Sequence, residues 1–402
     1  MERYSSTIRF TALDSWRGVC ALLVAVHHFG YWHLYSAPFV RNSSLFVDFF
    51  FVLSGFVITH AYGQELDDRR HLAAFMLRRF GRLWPLHVTI LAALVFLQAL
   101  KVVAHNVFHL PVESAAFDKA YSLESIPANF ILIQELHIFG PAATWNVPSW
   151  SISAEIWTYL LFAVVCLFSP RRPAMLMVAI ALSAASVILF LSGGLIEDGS
   201  LNNGFFRCIY GFFVGHLVYR ARSRATAGGL LEFFAIALVI SFVSVSGRGN
   251  LSMAAPLVFG FAVWVFAHEK GWVSKVLTTK PFVKLGAWSY SIYMVHWLVL
   301  AIISQGYAVI AKLIGRPTLH HIDVISAGVG QPVRVMFFGS TEIMDVVLLG
   351  YLVAVVALSA VTYKLIEDPA RKRFNRLAVR IFAADSAGRA LSRALGLKGT
   401  IQ

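Results

Sequence analysis

Four ionisable residues lie close together in the first apolar segment of the chain, LDSWRGVCALLVAVHHFGYW: Asp14, Arg17, His27 and His28. Such groups are costly inside a membrane and are functional candidates there. At about 100° per residue, the eleven steps from Arg17 to His28 bring both onto one helix face, about 16 Å apart along the axis. Asp14, three residues before Arg17, can pair with it. His27 points about 100° away from His28 and is the weaker catalytic candidate.

His28 is the member of this group best suited to acid–base chemistry. An imidazole has an ordinary pKa of about 6.5, so it can accept a proton from a hydroxyl group and return one to a leaving group. The alternative for a single buried histidine is a structural hydrogen bond to a backbone carbonyl. Because Arg17 shares its face and Asp14 lies beside Arg17, we predict that His28 is a general base.

Further polar residues lie in later apolar segments. Glu155 lies in SWSISAEIW, where a carboxylate is costly unless it is paired or bound. It could orient His28, bind an acceptor hydroxyl or pair with an arginine. Ser289, Tyr293 and His296 recur at the spacing of one helix face, which could line the same cavity or serve helix–helix hydrogen bonding.

The LSGF sequence contains Ser54 and Gly55. No histidine or acid neighbours this serine along the chain, as an activated nucleophile would require. Small residues in membrane helices usually allow close packing. We therefore predict a packing site there.

The composition is that of a protein dissolved in lipid: 58% of the 402 residues are hydrophobic, 14% are charged, and the mean hydropathy is +0.69. The net charge of +13 alone would suit nucleic acid, but the basic residues lie between apolar runs, so no nucleic-acid partner is expected. The cysteines offer no disulfide framework and no paired metal-ligand spacing, so neither redox chemistry nor a metal site is expected. They are Cys20, Cys166 and Cys208.

Apolar windows of about 20 residues predict an all-α integral membrane protein with about ten transmembrane helices. These windows begin near Ala12, Leu45, Pro85, Ser149, Pro173, Gly204, Leu230, Leu251, Gly286 and Ile343. If the N-terminus is cytoplasmic, 25 of the 34 Lys and Arg residues fall on cytoplasmic segments and seven on outer segments. Positively charged loops stay inside, so both termini are predicted to be cytoplasmic. Two segments are equivocal: 204–220 is short, and 126–139 could enter the membrane without crossing it.

The chain contains no Gly/Ser-rich or Pro-rich linker and no internal repeat. We predict one membrane-embedded domain over residues 1–370 and a basic cytoplasmic tail over 371–402. The longest outer loops, 105–148 and 312–342, could carry acceptor specificity.

Six sequence blocks, in order, resemble the acyltransferase 3 family of membrane O-acyltransferases. The first is LDSWRGVCALLVAVHHF, which is similar to the family's Arg-x10-His helix. The others are DFFFVLSGFVITHAY (48–62), RRFGRLWPLH (78–87), SWSISAEIWTYLLF (149–162), LGAWSYSIYMVHWLV (285–299) and LIEDPARKRF (365–374). They resemble the second-helix block, the basic loop, the Trp-Ser-x-Ser-x-Glu helix, the late Ser-Tyr-Ser-x-Tyr-x-x-His block and the closing Glu-x-Pro. The short chain after Ile366 predicts the stand-alone form, without the hydrolase-like domain that some members carry.

The resemblance implies site residues. His28 is the implied base, Arg17 its essential companion and Glu155 a third catalytic candidate. The basic loop is implied to lie near the entry of the acyl donor, although its arginines could also serve only topology. The residues implied or considered for binding donor or acceptor are Asp14, Arg78, Arg79, Arg82, Ser153, Tyr290, Tyr293 and His296. The family often has a second Glu after the first, whereas this chain has Ile156, which argues against a role needing two carboxylates.

The resulting hypothesis is a membrane O-acyltransferase that moves an acyl group from cytoplasmic acyl-CoA to a hydroxyl of a cell-surface carbohydrate. The expected acyl group is acetyl. Direct transfer and transfer through an acyl-enzyme both fit. The implied partners are acyl-CoA as a substrate, a carbohydrate or glycolipid acceptor and the lipid bilayer of a bacterial inner membrane, with no resident cofactor. One alternative is a multi-pass transporter of a glycolipid or anionic solute, although no paired halves with broken helices are seen. Another keeps the mechanism and uses a macrolide-like acceptor.

Overall fold

The computed structural model describes residues 9–380 apart from short gaps. These gaps are residues 31–36, 64–65, 67, 111–114, 139, 170–173, 193–202, 225, 248–249, 314, 316–323, 326–331 and 334–339. Most of the predicted outer loop 312–342 and the end of the predicted tail, 381–402, therefore lie outside the described residues.

Helices form nearly all of the regular structure, and the prediction of an all-α membrane protein is confirmed. Each of the ten apolar windows contains a helix. Within the described residues, four helices are long and apolar enough to span a membrane alone, or five if a pair bent by 66° counts as one. The number of ten spans and the side of the termini stay predictions. The helices are Thr11–Phe29 (α1), Pro38–Arg41 (α2), Phe46–Tyr62 (α3), Arg69–Asn106 (α4), Ile126–Phe130 (α5), Trp150–Phe168 (α6), Ala174–Ser192 (α7), Gly204–Ala221 (α8), Leu230–Ser246 (α9), Ala255–Phe266 (α10), Trp272–Leu277 (α11), Lys280–Ala287 (α12), Ser289–Leu313 (α13) and Thr341–Thr362 (α14).

Helix α14 continues beyond its regular part. A π-helical turn, Tyr363–Glu367, follows it, and the helix runs on to Arg380, across the predicted domain boundary at residue 370. The ring of Phe374 lies where a Cβ at Gly81 would be, so this end packs on α4. Among the described residues, the strand pairing is one short antiparallel ladder, Val324–Ile325 (β1) with Pro332–Val333 (β2), in which Val324 faces Val333.

Helix α4 begins earlier than predicted. The carboxylate of Asp68 accepts hydrogen bonds from the backbone N–H groups of Arg70 (2.8 Å) and His71 (2.7 Å), which caps the helix 17 residues before Pro85. The prediction of a basic loop over 78–87 is therefore wrong: its three arginines lie on a helix. The N-cap and the helix-forming residues after it outweigh the signal of the proline, which lies inside the helix.

Glycines allow two close helix crossings that position the site. A Cβ added at Gly18 of α1 would lie 2.6 Å from the carbonyl carbon of Leu285, and one at Gly286 would lie 2.4 Å from the backbone oxygen of Asp14. A Cβ at Gly55 of α3 would lie 1.9 Å from the backbone oxygen of Phe212 in α8. Each pair of backbones is in contact, so only glycine fits there. The predicted packing site at Gly55 is confirmed.

A buried ion pair also joins α3 to α8. Arg207 donates from Nε and Nη2 to the two carboxylate oxygens of Asp48, both at 2.8 Å, and its guanidinium lies 5.5 Å from the ring centre of Trp150. Both charged side chains are almost fully buried. A bidentate pair of this kind fixes the register of the two helices beside the site.

Part of the predicted outer loop reaches the middle of α4. The indole N–H of Trp84 donates to the carbonyl oxygen of Phe130 (2.7 Å), and Nε2 of His87 donates to that of Asn129 (2.7 Å). Residues 126–138 thus pack against a helix at mid-length instead of forming a long helix of their own. The prediction that this segment need not cross the membrane agrees with that packing.

Candidate active site

The polar residues of five helices meet in one cavity, here called the arginine cavity. Helices α1, α3, α4, α6 and α13 contribute its walls. Three guanidinium groups and one carboxylate line it together with serine and tyrosine hydroxyls. The polar lining residues are Arg17, Ser54, Arg79, Arg82, Ser151, Glu155, Tyr159, Ser289, Tyr290 and Tyr293. Six of the predicted site residues are therefore brought to one place: Arg17, Arg79, Arg82, Glu155, Tyr290 and Tyr293.

Arg17 is held in the arginine cavity by three contacts. Its Nε donates to the hydroxyl of Ser289 (2.7 Å), and Nη2 donates to the carbonyl oxygen of Gly286 (3.3 Å). Nη1 lies 3.7 Å from the carboxylate of Asp14, which also accepts from Arg9 (3.0 Å). The predicted pairing of Asp14 with Arg17 is confirmed. The close crossing of α1 and α12 makes this geometry possible, because Arg17 reaches the backbone of α12 and the first residue of α13.

Glu155 takes part in a three-membered cluster. Ser54 donates to Oε1 of Glu155 (2.6 Å), Tyr159 donates to the same oxygen, and the hydroxyls of Ser54 and Tyr159 are 2.6 Å apart. The interpretation of Ser54 as a packing residue is wrong, because the acid that is missing along the sequence comes from α6. A helical serine usually bonds the carbonyl four residues back. Ser54 instead bonds across to a carboxylate.

The arginines of α4 differ in their positions. Arg79 donates to the hydroxyl of Tyr62 (3.0 Å) and lies 5.1 Å from its ring centre, and both Arg79 and Arg82 line the arginine cavity. Arg78 lies 6.0 Å from the Tyr62 ring and does not line this cavity. Tyr290 lines the cavity and its hydroxyl donates to the carbonyl oxygen of Leu83.

His28 opens onto a second cavity, here called the histidine cavity. Its polar and aromatic lining residues are His28, Phe29, Gln98, Tyr121, Trp297, Ser304 and Gln305. Nδ1 of His28 lies 2.9 Å from the carbonyl oxygen of Val24. A carbonyl oxygen can only accept, so Nδ1 carries the proton, and in the neutral ring Nε2 keeps its lone pair. This is the tautomer that a general base requires.

Tyr293 and His296 lie between the two cavities. Tyr293 lines the arginine cavity, its ring centre is 5.8 Å from that of His296, and His296 is 5.1 Å from His28. His296 is fully buried: Nδ1 donates to the carbonyl oxygen of Ile292 (3.2 Å), and Nε2 has no hydrogen-bond partner within the part of the chain that the structure describes. Arg17 and His28 therefore share the face of α1 that contacts α13, as predicted, but they open onto different cavities.

Ser153 lies apart from both cavities. Its hydroxyl donates to the carbonyl oxygen of Leu132 (2.9 Å) and accepts from the backbone N–H of Glu135 (3.2 Å). The serine fastens α6 to the segment that precedes it. The expectation that Ser153 binds substrate or donor is therefore wrong, since its hydrogen-bonding groups are used within the fold.

Several residues of the site were not predicted. Tyr159 lies four residues after Glu155, which is the spacing of neighbours on one helix face and could have drawn attention to it. Gln98 is a polar residue in the apolar half of α4 and is 2% exposed, a position that is itself a functional signal in a membrane helix. Tyr121 lies outside the long helices, and nothing in its local sequence indicates that it lines a cavity.

Comparison with known proteins adds the identity of the family. The chain matches the family described as "Acyltransferase domain" over residues 10–364. Protein 2 in the picA locus of Rhizobium radiobacter is 35% identical over 151 residues, covering 35% of this chain and 75% of that protein. The peptidoglycan O-acetyltransferase OatA of Listeria monocytogenes is 24% identical over 324 residues, covering 72% of this chain and 49% of that protein. This chain thus spans about half the length of OatA. No solved structure matches.

Proposed function

We propose that this chain, which belongs to the acyltransferase family matched over residues 10–364, transfers an acyl group from cytoplasmic acyl-CoA to a hydroxyl of a cell-surface carbohydrate. Membership of the family makes the chain a membrane O-acyltransferase and decides against the transporter alternative. Acetyl is the proposed acyl group, and His28 the proposed base. One observation carries this proposal: a single face of α1 opens onto an arginine-lined cavity at Arg17 and a histidine-lined cavity at His28.

The arginine cavity supports a donor that carries phosphates. Guanidinium groups bind phosphate oxygens in a bidentate manner, and Arg17, Arg79 and Arg82 line one cavity. The basic residues in the first half of α4 and after α14 support a cytoplasmic location for this end of the molecule, where acyl-CoA is available. Glu155 offsets part of the positive charge. Asp14 orients Arg17 and does not itself line the cavity.

The histidine cavity supports the acceptor. The lone pair on Nε2 of His28 takes the proton of the acceptor hydroxyl, and the oxygen then attacks the thioester carbonyl carbon. The new C–O bond forms as the C–S bond breaks, and the thiolate of CoA receives the proton that His28 holds. Tyr293 and His296 are buried between the two cavities, so they have to move aside for the thioester to reach His28 from the arginine cavity. Arg17 and His28 are eleven residues apart, or about 16 Å along the axis of α1, which is the distance the donor arm has to extend.

The name of one relative supports a carbohydrate acceptor, and a bacterial inner membrane is the proposed location. OatA is named a peptidoglycan O-acetyltransferase, and the two relatives come from Rhizobium radiobacter and Listeria monocytogenes. A macrolide-like acceptor would leave the same groups in the same roles. Analysis of esters on surface polysaccharide with and without the gene separates these two acceptors: loss of sugar esters supports the proposal, and unchanged esters oppose it.

Transfer of label from acetyl-CoA tests the base directly. The purified full chain, wild type or His28→Ala, is incubated with labelled acetyl-CoA and membrane glycan. His268→Ala is the matched control, because Nδ1 of His268 lies 2.8 Å from the carbonyl oxygen of Trp264, as in His28, yet His268 lines neither cavity. We expect His28→Ala to lose at least about 100-fold in rate, as is typical for loss of a general base, and His268→Ala to stay near wild type. Full transfer by His28→Ala would remove His28 from the mechanism.

A further inference from the structure

The histidine cavity contains a polar group that the proposed chemistry does not use. Gln98 of α4 lines this cavity and is 2% exposed. Its carbonyl oxygen Oε1 is buried and has no hydrogen-bond partner among the described residues. A buried acceptor left unpaired costs about 1–3 kcal/mol, so such groups are usually satisfied by a donor. No described residue supplies a donor to Gln98, and a ligand that binds in the cavity would supply one.

The other lining residues indicate the chemistry of that ligand. Tyr121 and Trp297 offer aromatic surface, and the Trp297 ring lies edge-on to His28 at 5.6 Å between ring centres. Ser304 and Gln305 add a hydroxyl and an amide. Among the described residues that line this cavity, none is an acid, a lysine or an arginine. A mixture of aromatic faces and neutral hydrogen-bonding groups suits a neutral, hydroxylated ring better than a charged ligand.

We propose that the histidine cavity is a sugar subsite in which Oε1 of Gln98 accepts a hydrogen bond from a second hydroxyl of the acceptor, while His28 receives the reacting hydroxyl. Gln98 is then a specificity-determining residue that orients the ring. This inference rests on the proposed function and narrows its acceptor to a neutral sugar ring.

Binding without donor tests this assignment separately from catalysis. The full chain in lipid nanodiscs, with no acyl-CoA, is titrated by saturation-transfer NMR with methyl β-D-glucopyranoside, methyl β-D-galactopyranoside and methyl α-D-mannopyranoside. The variants are Gln98→Leu and, as a matched control, Gln134→Leu. Gln134 is another buried glutamine with an unpartnered Oε1, but it lines neither cavity.

We expect saturable binding of at least one glycoside to the wild type. Gln98→Leu should weaken it by about 3- to 10-fold, which corresponds to one neutral hydrogen bond, and Gln134→Leu by less than about twofold. Monodeoxy analogues of the bound glycoside identify the hydroxyl. One analogue should bind the wild type about 3- to 10-fold more weakly than the complete glycoside does. The same analogue and the complete glycoside should bind Gln98→Leu equally well. If Gln98→Leu does not fold, the comparison of monodeoxy analogues with the complete glycoside on the wild type still tests the subsite.

The contrary results are equally specific. Failure of all three glycosides to bind, equal binding by Gln98→Leu and wild type, or equal binding of every monodeoxy analogue would overturn the subsite. A His28→Ala variant separates the two proposals, because it should lose transfer while the monodeoxy analogue that reports on Gln98 still binds more weakly than the complete sugar. If sugars bind through Gln98 but the wild type transfers no acyl group, the proposed function fails and the subsite stands. If transfer proceeds and Gln98→Leu binds normally, only the subsite fails.

Discussion

Replacing Arg17 with lysine keeps the positive charge in the arginine cavity and removes the geometry that holds it. The guanidinium makes separate contacts with Ser289 (2.7 Å), Gly286 (3.3 Å) and Asp14 (3.7 Å). A lysine ammonium is a point charge on a flexible stem and lacks the fork that reaches these groups together. If the arginine orients the donor, Arg17→Lys should impair transfer even though the charge is unchanged.

The expected size of this effect follows from the contacts. A hydrogen bond from a charged group contributes about 1.5–3 kcal/mol, so the loss of the short contact with Ser289 predicts a decrease in kcat/KM of about 10- to 150-fold. The assay is transfer of label from acetyl-CoA to membrane glycan. Ser289→Ala should also lower kcat/KM, and the double variant should lose less than the two single losses combined, because both remove one contact.

Arg9 provides a matched control, because it pairs with the same carboxylate as Arg17. Arg9 also pairs with Asp14 (3.0 Å), but its side chain is 62% exposed and lines neither cavity. Exposed ion pairs contribute about 0–1 kcal/mol, so Arg9→Lys should stay within about fivefold of wild type. A value of kcat/KM for Arg17→Lys within about threefold of wild type would refute the reasoning, since charge alone would then suffice.

Three further changes test other parts of the site. Glu155→Gln keeps the size of the side chain and removes the carboxylate to which the hydroxyls of Ser54 and Tyr159 donate. We expect the rate of acyl transfer to fall at least about tenfold, with little change in thermal stability. Arg82→Gln should raise the KM for acetyl-CoA and make this KM less dependent on salt concentration. Arg78 lies outside the cavity, so in the same titration of acetyl-CoA Arg78→Gln should change neither the KM nor its salt dependence. Gly18→Ala places a Cβ 2.6 Å from the carbonyl carbon of Leu285, so a thermal melt in detergent should show a lower midpoint, and an unchanged midpoint would contradict the close crossing.

The shared face of Arg17 and His28 could be predicted because helical phase is a local property of the sequence. The same holds for the apolar helices, whose length follows from runs of hydrophobic residues. The partition of that face between two cavities could not be predicted. It depends on Tyr293 and His296, which α13 brings against α1 from more than 260 residues away.

The error at Ser54 has the same physical cause. The neighbours of this serine along the chain include no acid, but its partners Glu155 and Tyr159 lie more than 100 residues away and reach it through helix packing. The error at Ser153 is the converse: a position within a family block serves the fold, because its hydroxyl is bonded to the backbone of Leu132. Sequence indicates which polar residues enter the membrane, and packing decides which of them meet.

The separation of donor and acceptor is the central claim of this account, and sidedness tests it most directly. The full chain is reconstituted in one orientation in proteoliposomes, with labelled acetyl-CoA confined to one side and membrane glycan to the other. We predict transfer only when acetyl-CoA is on the side of the Arg17 cavity and the glycan is on the side of the His28 cavity. Equal transfer when both substrates are supplied only on the His28 side would contradict the account.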